Sequence, residues 1–407
     1  MTQKSFLIAF LATIVRYYDY ALFGLAAAKL SGTFFATSAA EDRLLHFFVV
    51  FGAAVYMRPL GSLLFGYIGD SYGRIVSIKS ASIIASVTTI CIGLLPDTNV
   101  IGVLSAILLL IFRMLFLVSI AGEVDAIKIY ISEKSNPIRR NRACGVVIFC
   151  SQIGALIASV SFYITVRFGG EYWRLSFLFG GVLGLVVVAF RHYFQEAELF
   201  VKYKQNSQSA PNIAKTWDII KNYRLLFVTA ILISGVIGGM YNFLVIFFPP
   251  FLQQAFGEPS LSPQVLSTSL IILYAVTAII SGILADFLRE KQILLAITVS
   301  ICSGLFFYPE IKQPAILIFL LGALSPLYSV PLQILMQFSF PINIRMRMVS
   351  LAHSIGSMIF SANTPLLGML IWKKTGSLEL VVIVPFLYLV ILLVSTWMLL
   401  KIQVKDN

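Results

Sequence analysis

Long apolar stretches recur along this chain, each about as long as a bilayer is thick, and short polar turns part them. A membrane-spanning helix needs about 20 mostly apolar residues, since it rises about 1.5 Å per residue across about 30 Å of hydrocarbon. Twelve stretches qualify: 6–30, 46–69, 77–95, 100–128, 143–165, 173–190, 225–248, 264–285, 293–308, 315–338, 349–372 and 381–400. They are apolar all round and lack the alternation of barrel strands. The pattern therefore predicts an all-α membrane protein whose helices satisfy their own backbone hydrogen bonds in lipid. The longest polar interruption, Arg191 to Arg224, parts six spans from six. The expected organisation is a first six-helix bundle over 1–190, a cytoplasmic central loop over 191–224 and a second bundle over 225–407.

Composition fits that picture. The chain has 407 residues, 59% hydrophobic and 12% charged, with a mean hydropathy of +0.91, whereas soluble domains carry about 25% charged residues. The first span carries charges and lacks a small-residue cleavage site, so it reads as a retained span and not as a signal peptide. With both termini inside, the inner loops and tails hold 19 of the lysines and arginines, among them Arg74, Lys134, Arg139, Arg140, Arg142, Arg345 and Arg347. The outer loops hold about seven, including Arg43, Arg167, Lys312, Lys373 and Lys374. That bias predicts cytoplasmic N- and C-termini in the inner membrane. The net charge of +12 is then mostly an orientation signal, and a nucleic-acid partner is not expected.

Cys91, Cys144, Cys150 and Cys302 are scattered without redox or zinc spacing, and His46, His192 and His353 are equally dispersed. Neither a metal nor a cofactor is expected. The polar loops hold no acid–base–nucleophile cluster, so an enzyme is not expected either.

The two halves echo each other. Gly66 and Asp70 lie at the inner end of the second span with Arg74 following; Gly282 and Asp286 lie at the inner end of the eighth with Arg289 following. The next inner loops, "NPIRRNRA" at 136–143 and "FPINIRMRM" at 340–348, each pair a proline with arginines. Two six-helix halves with matching inner loops suit a rocker-type carrier. Gly69 and Gly73 permit a tight turn, Gly66 permits a close helix approach, and Asp70 and Arg74 can form a contact in one conformation and lose it in the other. Gly66, Asp70, Gly73, Arg74 and Asp286 are the candidate gate.

These residues resemble the cytoplasmic-loop signature of the major facilitator superfamily, departing from it at Ser71, Ile75 and Val76. Arg58-Pro59-Leu60-Gly61 resembles a narrower group, the metabolite–proton symporters that include proline/betaine and 2-oxoglutarate carriers. "YYDYALFG" at 17–24, Arg113 with Gly122-Glu123, "YWRLSF" at 172–177, "EAELF" at 196–200, "FPPFL" at 248–252 and "FPINIR" at 340–345 extend the likeness over nearly the whole chain. Arg16 stands where the group usually has a glutamate, Ala121 replaces a glycine, and Phe116 and Leu117 replace a glutamine and a glycine. The long C-terminal coiled coil of some osmoregulated members is not expected here. The resemblance implies alternating access, with the proton as coupling ion and a small molecule as solute.

Ionisable residues within spans are functional suspects in any membrane protein. Arg16 and Asp19 fall in the first span, Arg58 in the second, and Arg113 and Glu123 in the fourth. Arg58, twelve residues from Asp70, lies about 18 Å into the membrane at 1.5 Å per residue. Arg16 and Asp19 are three apart on one helix face and can neutralise each other. Arg58 and Arg113 have no opposite charge at helical spacing, and each offers a planar fork of donors suited to a carboxylate. They can instead pair structurally with Asp19 or Glu123. Glu123 and Asp19 are the candidate proton carriers, Glu123 the better one because Arg16 neighbours Asp19.

In the second half Tyr241, Phe247 and Phe251 offer an aromatic wall for a quaternary ammonium. Arg58, Arg113, Asp19 and Tyr241 are accordingly the candidate solute-binding residues. The expected protein is a monomeric secondary carrier of a small carboxylated solute, proline/betaine-like or dicarboxylate-like, with proton symport. The alternatives are a proton-independent facilitator or exchanger, which Arg16 favours, and a non-transporting membrane receptor.

Overall fold

The apolar stretches fold as helices that stop where glycine, proline or a capping carboxylate interrupts them. A computed structural model describes residues 3–36, 46, 47, 50, 52–169, 171–190, 201, 216–249, 251, 252, 263–288, 290–307 and 314–406. The first span is helix α1 (Gln3–Leu25), which breaks at Ala26 and resumes as α2 (Ala27–Phe34). Then follow α3 (Arg58–Ser71), α4 (Arg74–Leu94), α5 (Leu104–Lys134), α6 (Arg140–Phe168) and α7 (Trp173–Phe190). The second half holds α8 (Arg224–Tyr241), α9 (Pro263–Leu288), α10 (Glu290–Phe307), α11 (Pro314–Ser339), α12 (Arg345–Gly356), α13 (Thr364–Thr375) and α14 (Leu378–Asp406). Among the described residues there is no strand.

Among the described residues, ten helical stretches are long and apolar enough to cross a membrane. Two of the twelve expected spans fall short of that measure. The second is helical at the described residues 46, 47, 50 and 52–55, turns at Tyr56 and Met57 and continues as Arg58–Ser71; the ninth, Glu290–Phe307, has Gln292–Ser303 as its apolar part. Most of the central loop, with the "EAELF" stretch, lies outside the described residues, as does Arg289.

By packing, the chain forms two units. One comprises Met1–Lys134 with Cys150–Pro211, the other Ser135–Phe149 with Asn212–Asn407. Helix α6 thus gives its first turns to the second unit and the remainder to the first. The first unit is centred on Tyr18, Leu22, Phe23, Phe34, Trp173 and Phe177, all buried. Arg174, from the "YWRLSF" stretch, seals the end of α4 by donating Nη1 to the Gly93 and Leu95 carbonyls at 3.2 and 2.5 Å. Carbonyls at a helix C-terminus lack intrahelical partners, and a cation satisfies them well.

In the second unit Pro326 and Pro331 lie inside α11. Proline has no N–H, so the carbonyl four residues before it loses its helical donor. For Pro331 that carbonyl belongs to Leu327, and the buried Gln292 of α10 donates Nε2 to it at 2.9 Å. Two further helices widen locally into π-turns, at Asn242–Phe247 after α8 and Ser357–Ser361 after α12. The Asn242 amide ties them together, donating to Ser361 O at 2.7 Å and Oγ at 2.9 Å.

Candidate functional site

The five intramembrane charges of the first half gather where α1, α3 and α5 meet. Glycines set the approach. A Cβ on Gly61 of α3 would come within 2.7 Å of the Val118 backbone, and one on Gly122 of α5 within 2.7 Å of Phe65 Cδ2. The two helices therefore touch beside Arg58 and Glu123, each a few residues from one of these glycines. The chain turns at Tyr56 and Met57, so Arg58 and Pro59 open α3. Proline suits a first helical turn, where its missing N–H is not needed. A proline within a span can bend it, but here the change of direction is the turn just ahead of Arg58.

Arg16 is the hub. It is buried, and its Nε donates to Glu123 Oε2 at 2.6 Å while Nη1 donates to Asp19 Oδ2 at 3.0 Å. Nη2 reaches the Ser82 carbonyl of α4 at 3.5 Å. Both carboxylates are sealed from solvent. The expected Arg16–Asp19 pair is present, but the shorter bond runs to Glu123, across two helices and 107 positions of sequence. Asp19 Oδ1 faces Gly180 of α7 and makes no hydrogen bond among the described residues. Any side chain at Gly180 would collide with that oxygen.

Arg113, also buried, lays its guanidinium over aromatic faces, 4.1 Å from the Phe23 ring centroid, 4.9 Å from Phe116 and 5.7 Å from Tyr20. It senses the charges of Asp19 and Arg58. Arg58 is half-buried, and its Nε is enclosed without a hydrogen-bond partner among the described residues. Phe116, which replaces a family glutamine, thus supplies one of the rings that hold Arg113.

The inner-end residues form a second cluster. Gly73 has φ 121° and ψ 152°, a conformation side-chain-bearing residues rarely adopt. The turn it makes lets Arg74 fold back, Nη1 donating to Asp70 Oδ1 at 2.9 Å and to the Gly69 carbonyl at 2.8 Å. Its Nη2 donates to Glu133 Oε1 at 3.3 Å, and all three charged side chains are fully buried. Gly66 is buried on the same helix. Glu133 was not singled out in the sequence because it follows the fourth apolar stretch and reads as loop; α5 runs on to Lys134 and carries it in.

In the second unit the Asp286 side chain, 3% exposed, faces Arg142, whose Nε lies 3.4 Å from Asp286 Oδ2. The partner is therefore an arginine of the "NPIRRNRA" loop, with Arg289 outside the described residues. Gly282 allows this contact, since a Cβ there would sit 2.9 Å from Arg142 Cα. Arg140 and Arg345 both lie over the Phe338 ring, at 3.9 and 4.5 Å. The two proline–arginine loops thus converge on one aromatic residue.

Tyr241 does not share a wall with Phe247 and Phe251. It is half-buried and packs edge-on against Tyr274, with centroids 5.3 Å apart. Phe247 and Phe251 are buried in a separate stack, 5.1 Å apart, closed by Trp372 of α13. The π-turn between them and Tyr241 redirects the helix, which a regular helical period does not foresee.

The fold and these paired inner-end clusters define a multi-pass membrane carrier of the major facilitator kind, not an enzyme. The chain belongs to the family described as "Sugar (and other) transporter", whose model matches residues 5–222. A candidate proline/betaine transporter of Staphylococcus aureus (strain COL) is 28% identical over 388 residues, 92% of this chain and 83% of that protein. The proline/betaine transporter of Escherichia coli (strain K12) is 26% identical over 265 residues, 62% of this chain and 53% of that protein. Among solved structures, the proton:xylose symporter XylE superposes with a TM-score of 0.77 at 16% identity, covering 98% of this chain and 95% of its own. The human organic anion transporter MFSD10 gives 0.68 at 12% identity, covering 98% and 99%. At such identities the structural likeness speaks for the fold alone.

Proposed function

We propose that this carrier moves a small zwitterionic solute of the proline or betaine kind across the inner, cytoplasmic membrane by alternating access. Its two bundles, 1–190 and 225–407, are joined by the cytoplasmic 191–224 loop, with both termini cytoplasmic and one chain sufficient. The observation that carries the reading is Arg58: a guanidinium at a helix start, its Nε enclosed and without a hydrogen bond among the described residues. Arg113 lies within its electrostatic reach, while Arg16 already takes up Asp19 and Glu123. Two guanidiniums placed together suit a carboxylate, which binds such forks through two parallel bonds. The aromatic faces around Arg113 suit the apolar or quaternary-ammonium part of the same solute; Tyr241 is proposed separately as a solute-binding residue of the second unit.

The proline/betaine relatives favour this class over a dicarboxylate. Proton symport is the coupling implied by resemblance, and it requires Glu123 or Asp19 to let go of Arg16. The Gly66–Asp70–Gly73–Arg74 cluster, with Asp286 in the second half, is the proposed gate. Counterflow of labelled proline, glycine betaine and 2-oxoglutarate in proteoliposomes tests the reading. Proline or betaine counterflow supports it; counterflow of 2-oxoglutarate alone overturns the solute class.

A further inference from the structure

Two carboxylates buried together in the first bundle must be neutralised somehow, and the neutralising group decides what drives the carrier. In a proton-driven cycle at least one of them takes up a proton in one conformation and loses it in the other. Here Arg16 does the neutralising, with Nε 2.6 Å from Glu123 and Nη1 3.0 Å from Asp19, all three side chains at most 2% exposed. A guanidinium does not deprotonate in a protein. Its charge is part of the chain and cannot leave with solute. Were either carboxylate to accept a proton, Arg16 would keep only one of its two ion pairs and, with Arg58 and Arg113, would stand against a single carboxylate, which is unfavourable for buried cations.

We infer that Arg16 is a tethered counter-cation standing in for the coupling proton, so that the cycle takes up no proton and solute moves down its own gradient or by exchange. The inference rests on the carrier reading above and specifies its driving force.

The surroundings fit. From α5 the cluster meets Glu123 and Arg113, and from α3 Arg58 lies within electrostatic reach of Arg113. From α4 it meets a backbone oxygen, that of Ser82. Helix α7 approaches at Gly180 and α6 at Gly154, where a Cβ would come within 3.0 Å of the Tyr18 nitrogen. Cys150, one turn before Gly154, adds a buried thiol, and Tyr18 spends its hydroxyl on the Ser176 carbonyl at 3.0 Å. Asp125 follows Glu123 by two residues, about 200° around the helix, so it points elsewhere. Three guanidiniums thus face two carboxylates, and the surplus positive charge matches a solute with a single carboxylate.

The deciding experiment does not depend on knowing the solute. Infrared difference spectra of the full-length protein in detergent are recorded between about pH 5 and about pH 9, the range in which a buried carboxyl would titrate. The wild type should show no carboxylic C=O band that Glu123→Gln or Asp19→Asn removes. Arg16→Gln should gain such a band, and Arg16→Lys, which keeps the charge, should not. A titrating band in the wild type that either carboxylate substitution removes overturns the inference. Should Arg16→Gln fail to fold, the wild-type spectra still decide. Failure of the solute reading appears separately, as absent proline and betaine counterflow.

Discussion

Arg74 Nη1 lies 2.9 Å from Asp70 Oδ1, and both side chains are sealed from solvent. The bond closes over the Gly73 turn, and Glu133 holds the other arm of the same guanidinium at 3.3 Å. Removing one partner of a buried ion pair costs about 3–5 kcal/mol. If that contact belongs to one stage of the cycle, its loss redistributes the stages. Asp70→Asn should therefore slow initial solute uptake about tenfold or more, since each 1.4 kcal/mol is a factor of ten, at an unchanged amount of protein in the membrane. Uptake equal to wild type would make Asp70 a plain turn residue.

Arg58 carries the second prediction. Arg58→Lys replaces a two-pronged donor by a point charge and should weaken binding about tenfold, by loss of roughly one charge-assisted hydrogen bond of about 1.5–3 kcal/mol. Arg58→Ala should abolish measurable uptake. Because Arg16 already holds Asp19, the Arg58→Ala/Asp19→Asn double variant should stay inactive. Restored counterflow in that double variant would identify Arg58 as Asp19's structural partner.

Much of this was legible in the sequence. Twelve apolar stretches, the proline–arginine loops and the doubled Gly-x-x-x-Asp pattern lie in local spacing, and local spacing is what a sequence displays. The partners of the charges were less legible. Arg16 and Asp19 meet at helical spacing, yet Glu123 reaches Arg16 from another helix 107 positions away, a pairing that local spacing does not display. Asp286 finds Arg142 on a different helix. Tyr241 parts from Phe247 because six residues adopt a wider turn, and no hydrophobic period announces such a widening.

Gly122 carries the third prediction. A methyl there would fall into the stem of the Phe65 side chain, which has no room to swing away. Overpacking of this kind costs about 1–3 kcal/mol. Gly122→Ala should lower the unfolding temperature in detergent, whereas Gly24→Ala, where a methyl meets open space, should not. Equal melting of both variants would show that α3 and α5 can separate freely.

The fourth concerns the bent helix α11. Gln292→Leu leaves the Leu327 carbonyl without its 2.9 Å donor, a loss of about 1–3 kcal/mol for a buried polar group. The variant should melt earlier, and Gln292→Leu combined with Pro331→Ala should recover part of the loss, because alanine returns the helical N–H. No recovery in the double variant would mean that Gln292 acts elsewhere.

The abutting glycines of α3 and α5 also bear on how such a carrier can diversify. Where two backbones already touch, the gap between them is not a dimension that mutation can tune. A lineage acquiring a new nutrient must therefore leave this seam alone and alter the side chains that project beside it. Arg16, which stands where the resemblance places a glutamate, is a charge of that kind: it can be exchanged while the scaffold is kept.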